Sequence, residues 1–256
     1  MTVHVRDHGA VRLLTLDRAE VLNAFDSPQY DLLSERMADA SADDAVSVVV
    51  LTGEGRAFTT GQDLREMASL GATADLETPE GEGGGHGFTR FMDALVSFDK
   101  PLMAAVNGMG VGLGLTVLAH CDLVLMAGSA RLKAPFTELG VAPEAASSLL
   151  FPQLLGWQRA SWLLFSSEWI DAETAVRWGL AYEQVPDEDL LERTLALAQV
   201  WASKPLVSLK ATKAAMVGAR SDAVASARAR EDDLFKVLTG SGANAEALAE
   251  FLGDDS

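Results

Sequence analysis

The sequence predicts an α/β fold of repeated strand-strand-helix units followed by a helical tail. Three observations carry that expectation. Residues 46–51, 101–106 and 122–126 are largely apolar over a strand's length, the pattern of strands buried on both faces. The first two are each followed by a polar, glycine-bearing turn that opens a helical stretch. Beyond Pro143 the apolar residues recur almost wholly at helical spacing.

The elements follow in order. Residues 3–5 and 11–16 are apolar-rich and separated by Asp7, His8 and Gly9, which reads as a hairpin with its turn there. Asp26, Ser27 and Pro28 supply a cap and a favourable first turn for a helix through about Ala40. After the strand at 46–51 comes the loop 52–64, running into a short helix over 64–70. Residues 71–87 are dense in glycine and acids and read as a mobile surface segment. Helical spacing returns at 88–98, the strand at 101–106 follows, and Asn107 and Gly108 turn the chain into 110–115 and a helix to about His120. No composition break forces two independent domains, and the expected division is a core over 1–195 with a C-terminal helical region over 196–256.

Composition removes several classes. No window approaches the roughly 20 apolar residues of a membrane span, and the N-terminus lacks the basic start and apolar stretch of a signal peptide. The expectation is a cytoplasmic protein with no membrane partner. With 20 basic against 37 acidic residues the net charge is −17, which argues against a nucleic-acid footprint. A single cysteine, Cys121, excludes an internal disulfide and any CxxC motif.

Motifs tested against the glycines and histidines also fail. Gly108, Gly110, Gly112 and Gly114 do not satisfy G-x-G-x-x-G, and no GK[ST] follows a glycine at phosphate-loop spacing. The four histidines are dispersed, so no metal site is expected. No G-x-S-x-G elbow presents a serine. Cys121 reads as a small buried hydrophobe, and His86 as a solvated loop histidine.

What remains is the pair of glycine-rich turns, 58–64 and 107–115, each after a buried strand. Backbone N–H groups at such turns point outward, and two converging on one oxygen make an oxyanion hole. Taken singly, each turn reads first as a plain strand-to-helix connection.

Four ordered stretches now resemble a known family. Leu22-Asn23-Ala24, the run from Ala57 to Leu64, Lys100-Pro101 with Ala104-Ala105-Val106-Asn107-Gly108, and Cys121-Asp122-Leu123 are similar in order and spacing to the crotonase (enoyl-CoA hydratase/isomerase) superfamily. The resemblance implies a crotonase-like spiral of ββα units with a C-terminal helical oligomerisation region. It also implies an acyl-CoA thioester substrate, with coenzyme A part of the substrate and no separate cofactor, and a homo-oligomer, a trimer or dimer of trimers. Matched by position, the oxyanion donors would be the N–H groups of Gln62 and Leu113. Substrate contacts would fall on Ala24, Ala57, Gln62, Asp63, Leu64, Arg65, Gly112, Leu113 and Phe136. Arg65, Arg131, Lys210 and Lys213 are candidate phosphate contacts, the last three reading first as solvated charges.

The departures from the family pattern bear on the reaction. Hydratases of the family carry two glutamates where this chain has Thr116 and Phe136, neither of which can hold a proton near neutral pH. The run Ala142-Pro143-Glu144-Ala145-Ala146-Ser147-Ser148 instead resembles the peroxisomal-type Δ3,Δ2-enoyl-CoA isomerases, which makes Glu144 the catalytic carboxylate. The residues themselves place Glu144 at the opening of a helix, beside Leu149, Leu150 and Phe151, which would raise its pKa. A helix-start carboxylate that merely complements the dipole is the alternative, and Glu138 is the rival acid. A different enolate reaction on the same scaffold, such as hydration or thioester hydrolysis, and a non-catalytic acyl-CoA-binding relative stand as alternatives to isomerisation.

Overall fold

The structure, a computed structural model, describes residues 2–64, 66 and 85–253. Arg65 and the glycine-dense segment as far as residue 84 lie outside the described residues, as does most of the helix expected over 64–70. That helix is described at Leu64 and Glu66.

Strands β1 (Val3–His8) and β2 (Val11–Leu16) pair antiparallel. Pairing continues to His8 opposite Val11, so the turn is Gly9 and Ala10 rather than Asp7 to Gly9. Helix α1 (Ser27–Ala42) is capped by the Asp26 carboxylate, which accepts from the Gln29 N–H at 2.9 Å, with Pro28 in the first turn. Strand β3 (Val48–Gly53) is buried throughout, as its apolar run requires, and the short β4 (Ala57–Thr59) follows it. Helix α2 (Gly85–Ser97) starts earlier than expected, taking in Gly85 to Gly87, and packs on α1.

The next two units repeat the theme. Strand β5 (Leu102–Val106) leads to β6 (Met109–Val111), and then to helix α3 (Leu113–Thr116) with a 3-10 turn over Val117–His120. Strand β7 (Leu123–Ala127) leads to β8 (Arg131–Lys133) and, after a long loop, to helices α4 (Ser147–Leu155) and α5 (Trp157–Ser166). Two short strands, β9 (Ile170–Asp171) and β10 (Glu183–Val185), flank α6 (Ala172–Trp178) within the stretch expected to be helical. Helices α7 (Leu190–Ala202), α8 (Leu206–Gly218), α9 (Ser221–Leu238) and α10 (Gly242–Gly253) complete the chain. Helix α7 packs on β3 and β5.

From β3 to β8 successive strands alternate between two sheets. One has six strands in the order β1-β2-β3-β5-β7-β10, parallel except for β1; the other has four in the order β4-β6-β8-β9, parallel except for β9. Each unit therefore lays one strand in the large sheet, one in the small sheet, then a helix, and the chain winds as a spiral. The consequence for function lies in the small sheet. Pairing Ala57 with Met109 and Thr59 with Gly110 sets the two glycine-rich turns side by side, although some fifty residues of sequence separate them.

Candidate active site

The first turn is held from below by Asn23. This residue is fully buried, and its φ of 57° is a left-handed conformation that asparagine adopts more readily than most side chains. Its amide nitrogen lies 3.0, 2.9 and 3.2 Å from the carbonyls of Glu54, Ala57 and Phe58, and its Oδ1 accepts from the Arg18 N–H at 2.9 Å. The buried Thr59 hydroxyl donates to the Asn23 carbonyl at 2.7 Å and accepts from the Gly61 N–H at 3.0 Å. Asn107 ties the second turn to the first, donating to the carbonyls of Gly55 and Ala57 at 2.9 and 3.1 Å.

The turns meet at Gly61, where φ is 78°. A β-carbon there would stand 3.0 Å from the Leu113 nitrogen and 2.7 Å from the Val111 oxygen, so the two backbones touch only because the residue is glycine. This contact brings Gln62, the next residue, beside Leu113, the first residue of α3. Among the described residues neither the Gln62 nor the Leu113 N–H donates to a backbone carbonyl. Gly112 stands at the cap of α3 with its own N–H given to the Lys133 carbonyl at 3.0 Å.

The other expected contacts distribute around this junction. Ala24 and Ala57 are buried in the turn that Asn23 braces, and the Ala24 carbonyl accepts from Arg18 at 2.7 Å. Asp63 is partly buried, 3.7 Å from the Arg18 guanidinium, which also pairs with Asp26 at 3.0 Å. Leu64 is partly buried at a helix start, and Phe136 is buried in the core. Three candidate phosphate contacts have other partners: Lys213 is buried against Asp122 at 2.8 Å, Lys210 pairs with Asp99 at 2.5 Å, and Arg131 lies 4.3 Å from the centre of the Trp169 ring.

Glu144 does not open a helix. It precedes α4 by three residues, because Ala145 and Ala146 hold φ of 60° and 57° and turn the chain through left-handed conformations first. Its carboxyl is enclosed by protein, although the residue as a whole keeps some accessible surface. Burial, and after it the negative charges of Glu231 and Asp232, pushes the carboxyl's pKa up to about 8. The Tyr30 phenol lies within the field of this carboxyl and touches the first turn. It donates to Gln62 Oε1 at 2.9 Å, and its own pKa is raised by burial and then by the charges of Glu144 and Glu66. Gln62 Nε2 in turn donates to Glu66 at 3.2 Å.

The rival Glu138 has a different setting, half exposed with its carboxylate 2.5 Å from the Lys133 ammonium. Thr116 and Phe136 are buried and carry no titratable group. Burial raises the Cys121 thiol to about 12, which leaves it un-ionised at neutral pH. Asn23, Tyr30 and Glu231 received no role from the sequence. Asn23 stood in the sequence within the Leu22-Asn23-Ala24 stretch, but nothing local marks Glu231, 85 residues beyond the Ala146 N–H it binds.

Two adjacent backbone N–H groups can hold a carbonyl oxygen, and a high-pKa carboxyl can take and return a proton. The ββα spiral and this arrangement together point to the class of enzymes that comparison with known proteins identifies. Residues 6–253 match the family model described as enoyl-CoA hydratase/isomerase, and the chain belongs to that family of acyl-CoA enzymes. It is 32% identical to a 1,2-epoxyphenylacetyl-CoA isomerase of Escherichia coli, over 96% of this chain and 93% of that one. It is 33% identical to the 2,3-dehydroadipyl-CoA hydratase of the same organism, over 94% and 92%. Among solved structures, an enoyl-CoA hydratase/isomerase from Pseudoalteromonas atlantica superposes with a TM-score of 0.90 at 33% identity, covering 99% of this chain and 98% of that one. Relatives at similar distance are thus named for different reactions, and the choice among them falls to the site.

Proposed function

We propose that the chain is a Δ3,Δ2-enoyl-CoA isomerase that moves a C3=C4 double bond to C2=C3. The observation that carries the reading is the buried Glu144 carboxyl, its pKa raised to about 8 and its charge acting on the Tyr30 phenol that donates to Gln62, while Thr116 and Phe136 occupy the positions where hydratases of the family carry their two acids. In this mechanism the Glu144 carboxylate takes a proton from C2, and the C–H electrons move into a dienolate whose oxygen accepts from the N–H groups of Gln62 and Leu113. The protonated carboxyl then gives its proton to C4; the C3=C4 electrons form the new C–H bond, C2=C3 forms and the carbonyl returns. One carboxyl serves both steps because they occur in sequence.

A pKa of about 8 suits both halves. It makes the carboxylate a stronger base than an ordinary glutamate, at the cost of leaving only about a tenth of it ionised at pH 7 in the free enzyme. Each oxyanion donor would supply about 3 kcal/mol of transition-state stabilisation. Ala24, Ala57, Asp63, Leu64, Arg65, Gly112 and Phe136 complete the proposed substrate contacts. We further propose a cytoplasmic homo-oligomer, a trimer or dimer of trimers, in which the exposed Trp157, Trp162 and Phe165 of α5 would be covered.

The test offers the purified protein 3-hexenoyl-CoA and crotonyl-CoA together. Isomerisation without net hydration is the expected result. Rapid hydration of crotonyl-CoA would make the chain a hydratase, and tight binding without either reaction a binding protein. Glu144→Gln should lower isomerase turnover by about 10²- to 10⁴-fold with acyl-CoA affinity largely kept, and unchanged turnover in that variant would remove Glu144 from the mechanism.

A further inference from the structure

The loop that carries Glu144 is held in an unusual shape from outside. Ala145 and Ala146 both have positive φ, a conformation alanine rarely adopts even once and which survives only where surrounding contacts over-determine it. Helix α4 begins immediately afterwards, and its cap residue Ala146 has no side chain able to satisfy the first N–H groups. The Ser147 N–H donates to the Glu144 carbonyl at 3.0 Å, and the N–H groups of Ala146 and Ser148 are satisfied from α9. Glu231, only 3% exposed, accepts from the Ala146 N–H through Oε2 at 2.6 Å and from the Ser148 N–H through Oε1 at 2.9 Å. The ring of the buried His120 also meets the Ala145 carbonyl, at 2.8 Å through Nε2. Burial lowers the His120 pKa to about 4, so the ring is neutral and Nε2 carries its proton as donor.

We propose that Glu231 is a positioning residue for the reaction: with His120 it clamps the left-handed Ala145-Ala146 turn and so aims the Glu144 carboxyl at the substrate. This rests on the assignment of Glu144 as the base. Within the loop the turn has one bond of its own, from the Ser147 N–H to the Glu144 carbonyl, but no glycine to make it intrinsically favourable and no side-chain cap.

Position and charge act together here. Glu231 touches the residue two beyond Glu144, and its negative charge is the leading electrostatic contribution to the raised Glu144 pKa after burial. Asp232 of α9 acts on both carboxyls, Glu144 acts on Tyr30 of α1 as does Glu66, and Arg220, Arg228 and Lys213 act on His120. Burial also raises the pKa of Glu231 itself, against the hydrogen bonds from Ser148 and Ala146 that lower it. Glu231→Gln keeps the length and loses the charge; Glu231→Asp keeps the charge and shortens the reach.

The experiment measures kcat, KM and the pH dependence of kcat/KM for 3-hexenoyl-CoA in wild type, both Glu231 variants and Glu144→Gln. Both Glu231 variants should lose about 10²-fold in kcat, the typical effect of misplacing a catalytic group by about 1 Å, with KM nearly unchanged. In Glu231→Gln the rising acidic limb should also move to lower pH, whereas in Glu231→Asp it should stay. A merely structural role would lower activity without moving that limb. Wild-type kcat and an unmoved limb in Glu231→Gln, with Glu144→Gln inactive, would overturn the clamp alone. Full activity in Glu144→Gln would instead overturn the base assignment. Should either Glu231 variant fail to fold, amide hydrogen exchange of the wild type decides: the Ala146 and Ser148 N–H groups must be protected to the level of the core, and rapid exchange there would overturn the proposal.

Discussion

A β-carbon added to Gly114 would stand 2.2 Å from the Thr59 carbonyl oxygen. The first turn of α3 therefore rests directly on the strand that precedes the other glycine-rich turn. That closeness sets the separation of the Gln62 and Leu113 N–H groups, since one follows Thr59 and the other precedes Gly114. Backbone cannot yield there as a flexible side chain would. Gly114→Ala should thus push the two turns apart, lowering turnover by about 10²-fold and stability by about 2 kcal/mol. Steady-state kinetics with 3-hexenoyl-CoA and a thermal melt read the two effects; an alanine variant with full activity would mean that the separation is not set here.

A second prediction concerns a buried pair of lysines below the large sheet. Lys213 Nζ donates to the Lys100 carbonyl at 2.7 Å and to Asp122 at 2.8 Å, while Lys100 Nζ donates to the carbonyls of Ala40 and Asp43 at the end of α1, both at 2.7 Å. Lys213→Met would keep much of the packing but strand Asp122, whose carboxylate also accepts from the Leu102 N–H at 2.7 Å. Breaking a buried pair in this way costs about 3 kcal/mol. Denaturant unfolding should show that loss, with the slope of the transition unchanged.

The sequence made the large sheet legible and the small one almost invisible, for a physical reason. Strands β3, β5 and β7 are buried on both faces and so write long apolar runs. Strands β4, β6 and β8 have three residues each, too few for any periodicity to register. Yet those short strands join the two glycine-rich turns, which the sequence could offer only as separate features. The same contrast holds around Glu144. Alanine is the strongest helix former, so Ala145 and Ala146 read as the first turn of a helix; their left-handed conformations come from Glu231 and His120, contacts that local sequence does not encode.

The raised pKa of Glu144 yields a stability prediction with a definite sign. Its ordinary value is 4.5 and its folded value about 8, so between these the folded protein binds more protons than the unfolded chain. Stability from this group is full below pH 4.5 and is lost as pH rises through about 8. Glu144→Gln removes that loss. The Tm of the glutamine variant should therefore exceed that of the wild type by more at pH 9 than at pH 4, by at least about 2 °C. A difference that stays constant across that range would mean that the carboxyl ionises normally in the folded protein.

Thr116 offers the last test, because its hydroxyl is fully buried and has no hydrogen-bond partner among the described residues. A buried, unsatisfied hydroxyl costs about 1 kcal/mol or more. Valine has nearly the same shape without the polar atom, and a β-branched residue already occupies this helical turn. Thr116→Val should accordingly raise stability by about 1 kcal/mol. Its effect on turnover separates two ideas about the position at which hydratases of the family carry an acid. If Thr116 only fills space, as the single-carboxyl mechanism requires, kcat for 3-hexenoyl-CoA stays within about twofold of the wild type. If the hydroxyl instead binds a reacting water or the substrate, the valine variant loses about tenfold or more, the worth of one hydrogen bond left unmade in a closed site, and Glu144 does not act alone.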